Sequence, residues 1–195
     1  DLHSFPTRRS SDLRTSVAGM AAGIVAGMED PSSCCIRDKR IEIKINGVFC
    51  DIALVDAVIS DDLWVGARAI WDADAIENVV VTRCSPTNIG FSAAAGCHVV
   101  VRPEEDRGLA LELAGGSHAK RRGSGRRLMA PIAAGVLNEI EILESKGLDL
   151  HETYRVIAGR DGMIAVDGER EMRVSRGDVL EFSIDRKSKI GRAHV

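Results

Sequence analysis

The sequence predicts a mainly β domain, a β-sandwich or twisted double sheet, with one short helix ahead of it. Three observations carry that prediction. Apolar and polar residues alternate over short runs, as where Ile41, Ile43 and Ile45 frame Glu42 and Lys44, which is the pattern of a half-buried strand. Turn dipeptides recur between such runs: Asn46-Gly47, Asp167-Gly168 and Gly177-Asp178. Aromatic residues are only 4% of the chain against a hydrophobic share of 45%. A core is therefore possible, but Val, Ile, Leu and Ala must fill it, with Phe49, Trp64, Trp71, Phe91 and Phe182 as the few large pieces. Many short strands with closely spaced turns indicate packed β layers.

Thr15 to Met28 reads as a short helix, ended by Glu29-Asp30-Pro31. Its Gly19, Gly23 and Gly27 form a small-residue stripe suited to close packing, and the apolar tract is too short to span a bilayer. The strand Ile41–Ile45 then turns at Asn46-Gly47, the strongest short hairpin signal, into a strand from Val48 to Ala57 that carries Asp51 and Asp56. Asp61-Asp62 opens a segment through Trp71, where the pair could cap the next segment or approach Mg²⁺, capping being the simpler role. A short helix or turn over Asp72 to Asn78 leads into a strand from Val79 to Arg83. His98 to Arg102 reads as another strand, closed by Pro103, and Leu109, Leu111 and Leu113 alternate again. Gly115 to Arg127, GGSHAKRRGSGRR, is a loop by composition. Met129–Gly135 and Leu137–Leu143 are strand-like, although Leu137 to Lys146 also fits a short helix. Met163–Val166 and Glu171–Val174 flank the Asp167-Gly168 hairpin turn, and Val179–Ser183 follows Gly177-Asp178.

The 195 residues suit one domain, and the net charge of −3 gives no bias toward nucleic acid. Both ends stand apart. Residues 1–13 resemble one reading frame of a sequencing-library adapter and residues 185–195 resemble frames of the opposite adapter, so neither is expected to belong to the fold. On that expectation the chain is a fragment, and its terminal Arg and Lys residues say nothing about a nucleic-acid partner. The five cysteines have no CxxC spacing, which fits reduced thiols in a cytoplasmic protein and no zinc site. His98 and His118 lack metal-ligand spacing as well. The expected partner is a small molecule, with neither nucleic acid nor membrane.

One stretch carries a possible site. Ser85 to Gly96, SPTNIGFSAAAG, places Ser, Thr, Asn, Gly and Ala at a strand's end. Such residues let a ligand come close and bond it through hydroxyls and amides; the plainer alternative is a tight turn and a small-residue helix start. Lys120, Arg121, Arg122, Arg126 and Arg127 could meet nucleotide phosphates or simply be solvated.

With these segments in order, the chain resembles the NAD kinase superfamily, in its ATP-NAD kinase-like branch that includes the acetoin-catabolism X proteins. Five motifs carry the resemblance over roughly Arg14 to Ile184. Residues 51–56, DIALVD, stand where NAD kinases have an Asn-Glu/Asp motif. Residues 65–72, VGARAIWD, are similar to a VGARALWD signature. Ser85 to Gly96 is similar to the T-P-T…S-A-G-G segment, Ala130-Pro131-Ile132 to a Pro-Ile strand, and residues 164–171, IAVDGERE, to a T-I-A-L-D-G-E-R-E hairpin. The resemblance implies a parent kinase that transfers a phosphoryl group from ATP, with Mg²⁺, to the ribose hydroxyl of NAD, and that assembles as a homo-oligomer. It implies that residues 14–30 are the last helix of a truncated α/β domain and that residues 31–184 are the β-rich C-terminal domain supplying the NAD pocket. The GGDGT element that handles phosphates is missing, so no catalytic residue is expected and the chain alone should be inactive. Carried over by position, the nucleotide-binding candidates are Asp56, Ser85, Thr87, Asn88, Gly90, Ser92 and Gly96. Asp56 keeps the carboxylate of its motif, but Val55 replaces the Asn, and Asp56 could equally face solvent. The departures leave two alternatives: a non-catalytic nucleotide-binding or regulatory protein of acetoin catabolism, and a kinase for another small alcohol or a lipid.

Overall fold

The computed structural model describes residues 15–30, 35–61, 72–88, 90–133 and 136–191. Helix α1, Thr15–Ala26, belongs to a unit distinct from the compact one formed by Lys39–Ser188. A Cβ added at Gly19 or Gly23 would meet nothing within 4 Å outside the helix's own backbone.

The compact unit is mainly β, with two antiparallel sheets. β1 (Cys35–Ile45) and β2 (Val48–Ala53) form the predicted hairpin, with Asn46 at φ 53° and Gly47 at φ 78°. The chain next lays down β3 (Asp56–Ser60), β4 (Ile76–Val81), helix α2 (Phe91–Gly96) and β5 (Arg107–Leu113). β6 (Arg126–Ala133), β7 (Val136–Asp149), β8 (Thr153–Ile157), β9 (Gly162–Val166), β10 (Arg170–Val174) and β11 (Val179–Gly191) follow. The smaller sheet runs β2-β1-β11-β8 and the larger β10-β9-β3-β4-β5-β7-β6.

The sheets face each other across one core. Ile41 and Ile43 of β1 and Leu180, Phe182 and Ile184 of β11 pack with Ile59, Val80, Leu148, Ile164 and Val166 of the larger sheet. The larger sheet's opposite face carries Val58, Val79, Val81, Leu109 and Leu111 beneath Cys84, Ala95 and Val101. Its central strands are therefore covered on both sides. Every residue of β3 and of β4 is buried, Asp56, Ser60, Glu77 and Asn78 included, so neither strand shows the exposed–buried alternation of a half-covered sheet.

Several sequence expectations need correction. The expected strand from Val48 to Ala57 is two strands in different sheets, parted at Leu54-Val55. β4 begins at Ile76, since only Ala73–Ala75 is helical, as a 3₁₀ turn. His98 to Arg102 is not a strand; Val101 alone bridges to Cys84. The Gly115–Arg127 loop contains a 3₁₀ helix, Gly116–Arg121. Leu137–Lys146 is strand, within β7, and β8 was not expected. Phe182 is fully buried, whereas Phe49 on the edge strand β2 is 56% exposed. Trp64 and Trp71 lie outside the described residues, as do Asp62 and the 65–71 part of the VGARAIWD segment. The segment from Asp185 onward continues β11 to Gly191; there Arg186 Nε donates to Asp106 Oδ1 at 2.8 Å, and its Nη2 donates to the Glu104 carbonyl at 3.1 Å.

Candidate functional site

Between β2 and β3 the chain leaves the smaller sheet for the larger. Leu54 and Val55 belong to no strand, so the backbone groups of the crossover need partners other than a ladder. Asp167 supplies the acceptors. Its Oδ1 accepts from Leu54 N at 3.1 Å, Val55 N at 2.8 Å and Asp56 N at 3.3 Å, and its Oδ2 accepts from Leu54 N at 2.9 Å. The carbonyls on the other side go to Thr82: its N–H donates to Val55 O at 2.9 Å and its hydroxyl to Leu54 O at 2.8 Å. Arg170 completes the clasp, donating to Ile52 O at 2.7 Å and Asp51 Oδ1 at 3.0 Å. Thus the tip of the β9–β10 hairpin and the end of β4 grip both sides of one bend.

Asp56 opens β3 directly after that bend and pairs across the ladder with Val81. It is buried, 6% exposed, and holds an interaction of its own within the protein, so the solvent-facing alternative does not apply. Alternation along β3 places Asp56 and Val58 on one face and Ala57 and Ile59 on the other. Ala57 and Ile59 belong to the core between the sheets, while Val58 belongs to the face that Ala95 of α2 covers. Asp56 therefore sits on the α2 side of the sheet.

The Ser85–Gly96 candidates hold together on that same side. Ser85 Oγ and Thr87 Oγ1 are 2.9 Å apart, Thr87 N donates to Ser85 Oγ at 3.3 Å, and Asn88 N donates to Ser85 O at 3.0 Å. Ser85 and Asn88 are half-buried and Thr87 is exposed. Gly90, at φ 74°, precedes α2, and its carbonyl accepts from Ala93 N at 2.9 Å and Ala94 N at 3.1 Å. Ser92 is buried and internally bonded. Gly96 is required by packing, because a Cβ there would lie 2.2 Å from Ser85 C. Ile89, between Asn88 and Gly90, lies outside the described residues. The stretch is thus both things its sequence allowed: a tight turn into a short helix, and a cluster of hydroxyl and amide groups at a strand's end.

The basic glycine-rich segment is of another kind. Glu141 Oε1 accepts from Gly123 N at 2.6 Å and Gly125 N at 2.7 Å, and Glu77 Oε1 accepts from Ser117 N at 2.6 Å. Amides that a phosphate would need are already held by carboxylates of the same chain. Those bonds, the Gly125 amide first, lower the Glu141 pKa against the opposing pull of burial. Arg122 pairs with Asp74 at 2.7 Å and Arg127 with Glu141 at 3.3 Å, while Arg121 pairs with Glu112. A cavity of about 120 Å³ opens beside them, lined by Asp74, Gly115, Arg122, Arg127 and Glu141 among others, well below the several hundred Å³ usual for a small-molecule pocket.

Among the described residues no group of three His, Cys, Asp or Glu side chains could hold a metal ion by itself. His98 is half-buried, and burial followed by the nearby Arg126 charge lowers its pKa. Asp61 pairs with Arg160 at 2.9 Å. No helix of the described residues is long and apolar enough to cross a membrane. Sequence reasoning assigned Asp167 to a hairpin turn alone and overlooked Thr82. Asp167 does hold the turn at φ 51°, but the same residue anchors the crossover. The pairing of an Asp-Gly turn with a distant strand break could have hinted at this, yet only the fold brings them together.

Comparison with known proteins agrees with these boundaries. Residues 39–187 match the acetoin catabolism protein X C-terminal domain family, nearly the limits of the compact unit. The chain is 38% identical over 173 residues to the acetoin catabolism protein X of Cupriavidus necator; the alignment covers 86% of this chain and 46% of the relative. The chain thus spans about half the length of that relative, and the family match takes in the first three residues of the segment set aside from Asp185. It belongs to the acetoin catabolism protein X C-terminal domain family.

Proposed function

We propose that this chain is the ligand-holding β domain of a protein serving acetoin catabolism, and that its ligand is a nucleotide, bound without turnover by the domain itself. One observation carries the reading: Asp56 and the Ser85–Gly96 cluster share the α2 face of the larger sheet. A carboxylate can accept both hydroxyls of a ribose. Small residues next to it leave room for a ring or a phosphate. Binding would exchange the interaction that Asp56 now holds within the protein for ribose hydroxyls. The name of the Cupriavidus relative supplies the metabolic setting. Calorimetric titration of this chain with NAD tests the reading. Saturable one-site binding that weakens at least tenfold in Asp56→Ala is expected, and no binding would refute it.

A second reading is favoured by one further fact. Three of the segments that resemble NAD kinases, Asp51–Asp56, Ser85–Gly96 and Ile164–Glu171, are neighbours around this crossover. In that reading the parent phosphorylates the ribose hydroxyl of NAD with ATP and Mg²⁺, using residues that this chain lacks. Assaying the full-length protein for NADP separates the two: turnover supports the kinase and sinks the purely regulatory reading. NADP formation by the present chain alone would contradict both.

A further inference from the structure

We propose that Asp167 is the positioning residue of this site: by taking the amides of Leu54, Val55 and Asp56 it fixes the bend that places Asp56 on the α2 face. The proposal rests on the nucleotide reading above for its consequence in binding, and on geometry alone for the bend.

Three features of the geometry point the same way. Asp167 is 7% exposed, and both its oxygens are turned to the crossover, with four contacts of 2.8–3.3 Å to three consecutive N–H groups. A hairpin turn needs none of these, since Asn46 makes the equivalent turn of the β1–β2 hairpin without them. Nor could the ladder replace them: Leu54 and Val55 lie between strands of different sheets. Without the carboxylate their amides would have no strand partner, and at a crossover that is 37% exposed at Leu54 only water would be left to hold them, with no fixed direction for the bend. Finally, the opposite edge of the bend is held by Thr82, three residues before Ser85. Asp167 and Thr82 together fix Asp56 and the small-residue cluster to one reference point. A one-residue slip at the bend would turn Asp56 to the core face, because side chains alternate along β3. In that core it would face Ile164 and Val166.

The test uses this chain with Asp167→Ala, Asp167→Asn and Asp56→Ala, and NAD as the probe. Amide hydrogen exchange at Leu54, Val55 and Asp56 is read against Ile164 and Ala165 in the β9 ladder. In Asp167→Ala the three crossover amides are expected to exchange at least tenfold faster while Ile164 keeps its protection. Asp167→Asn retains the acceptor oxygen common to all three bonds, so it should be intermediate. It also serves if the alanine variant does not fold. NAD affinity should fall at least tenfold in Asp167→Ala, as in Asp56→Ala, and partly recover in Asp167→Asn. If NAD binding needs Asp56 but not Asp167, the proposal is overturned. If NAD binds and neither variant matters, both the proposal and the role given to Asp56 fail. If the unaltered chain does not bind NAD, the nucleotide reading fails by itself and exchange alone decides. Unchanged protection in Asp167→Ala then overturns the positioning role, and selective loss supports it.

Discussion

Glu141 accepts the amides of Gly123 and Gly125 with one oxygen and stands 3.3 Å from Arg127 with the other. The anion that this glycine-rich turn requires is thus built into β7, and its removal should be felt mainly above the pH at which a carboxyl titrates. Because its folded pKa is depressed below 4.5, Glu141 contributes stability that is present above that value and is lost as pH falls through the folded value. Glu141→Gln keeps an acceptor but not the charge. Its Tm should lie below that of the unaltered protein at pH 7, and the gap should close as the pH falls below the ordinary glutamate value. A gap that stays constant as the pH falls would show that packing, not charge, is what Glu141 supplies. Lys39 is a cationic counterpart in what it binds, meeting carbonyls where Glu141 meets amides. Fully buried, it donates to Arg102 O at 3.0 Å and Arg107 O at 2.7 Å, fastening the turn that enters β5. In sequence both residues are indistinguishable from surface charges, since what identifies them is the backbone they meet.

At the scale of elements, what could be read in advance was whatever is specified locally. Asn46-Gly47 and Asp167-Gly168 make the turns their sequences call for because positive φ is written into the residue types. β1 shows its alternation because one face of it is covered. The break between β2 and β3 was not legible: no Gly, Pro or Asn marks it between Val48 and Ala57, and only pairing decides that Val48–Ala53 joins one sheet and the chain from Asp56 the other. The expected strand His98–Arg102 is absent for the converse reason, its Val99 and Val101 being apolar to cover the sheet rather than to join it. Of the site, the Ser85–Gly96 cluster and Asp56 were visible as residue types, while the clasp that relates them spans more than a hundred residues and was not. The β1–β2 turn also carries a tie its sequence does not reveal. Asn46 N donates to Val179 O at 2.8 Å, Val179 N donates to Asn46 Oδ1 at 2.9 Å, and Asn46 Nδ2 donates to Asp178 Oδ1 at 2.9 Å. Asn46→Gly keeps the backbone conformation and removes the two side-chain bonds. It should cost about 1–2 kcal/mol by denaturant titration, whereas a loss below a few tenths would mean the turn alone matters.

Across the whole unit, the two sheets are joined by apolar packing and by polar contacts, Lys39 to Arg107 O and Asn78 to Tyr154 among them. Asn78 on β4 donates through Nδ2 to the Tyr154 hydroxyl on β8 at 2.9 Å, one residue from each sheet. Asn78 is 1% exposed, and its Oδ1 has no hydrogen-bond partner among the described residues. With the amide in either orientation the phenol is its partner. Tyr154→Phe would leave that amide buried and unsatisfied, a cost of about 1–3 kcal/mol, or roughly 2–4 °C in Tm per kcal/mol for a domain of this size. Tyr154 is also the chain's single tyrosine, so its ionisation can be followed by absorbance without interference from another phenol. Burial, then the Glu112 charge, push its pKa from 10.0 up to about 12. Since the folded state holds this proton more tightly than the unfolded chain, the stability it contributes is complete below pH 10 and is lost as pH rises toward 12. The folded protein should therefore show no phenolate absorbance at about pH 10.5, while the chain unfolded in urea should show most of it. Phenolate appearing near pH 10 without loss of β structure would mean that Tyr154 is solvated and that its contact with Asn78 does not help to join the sheets.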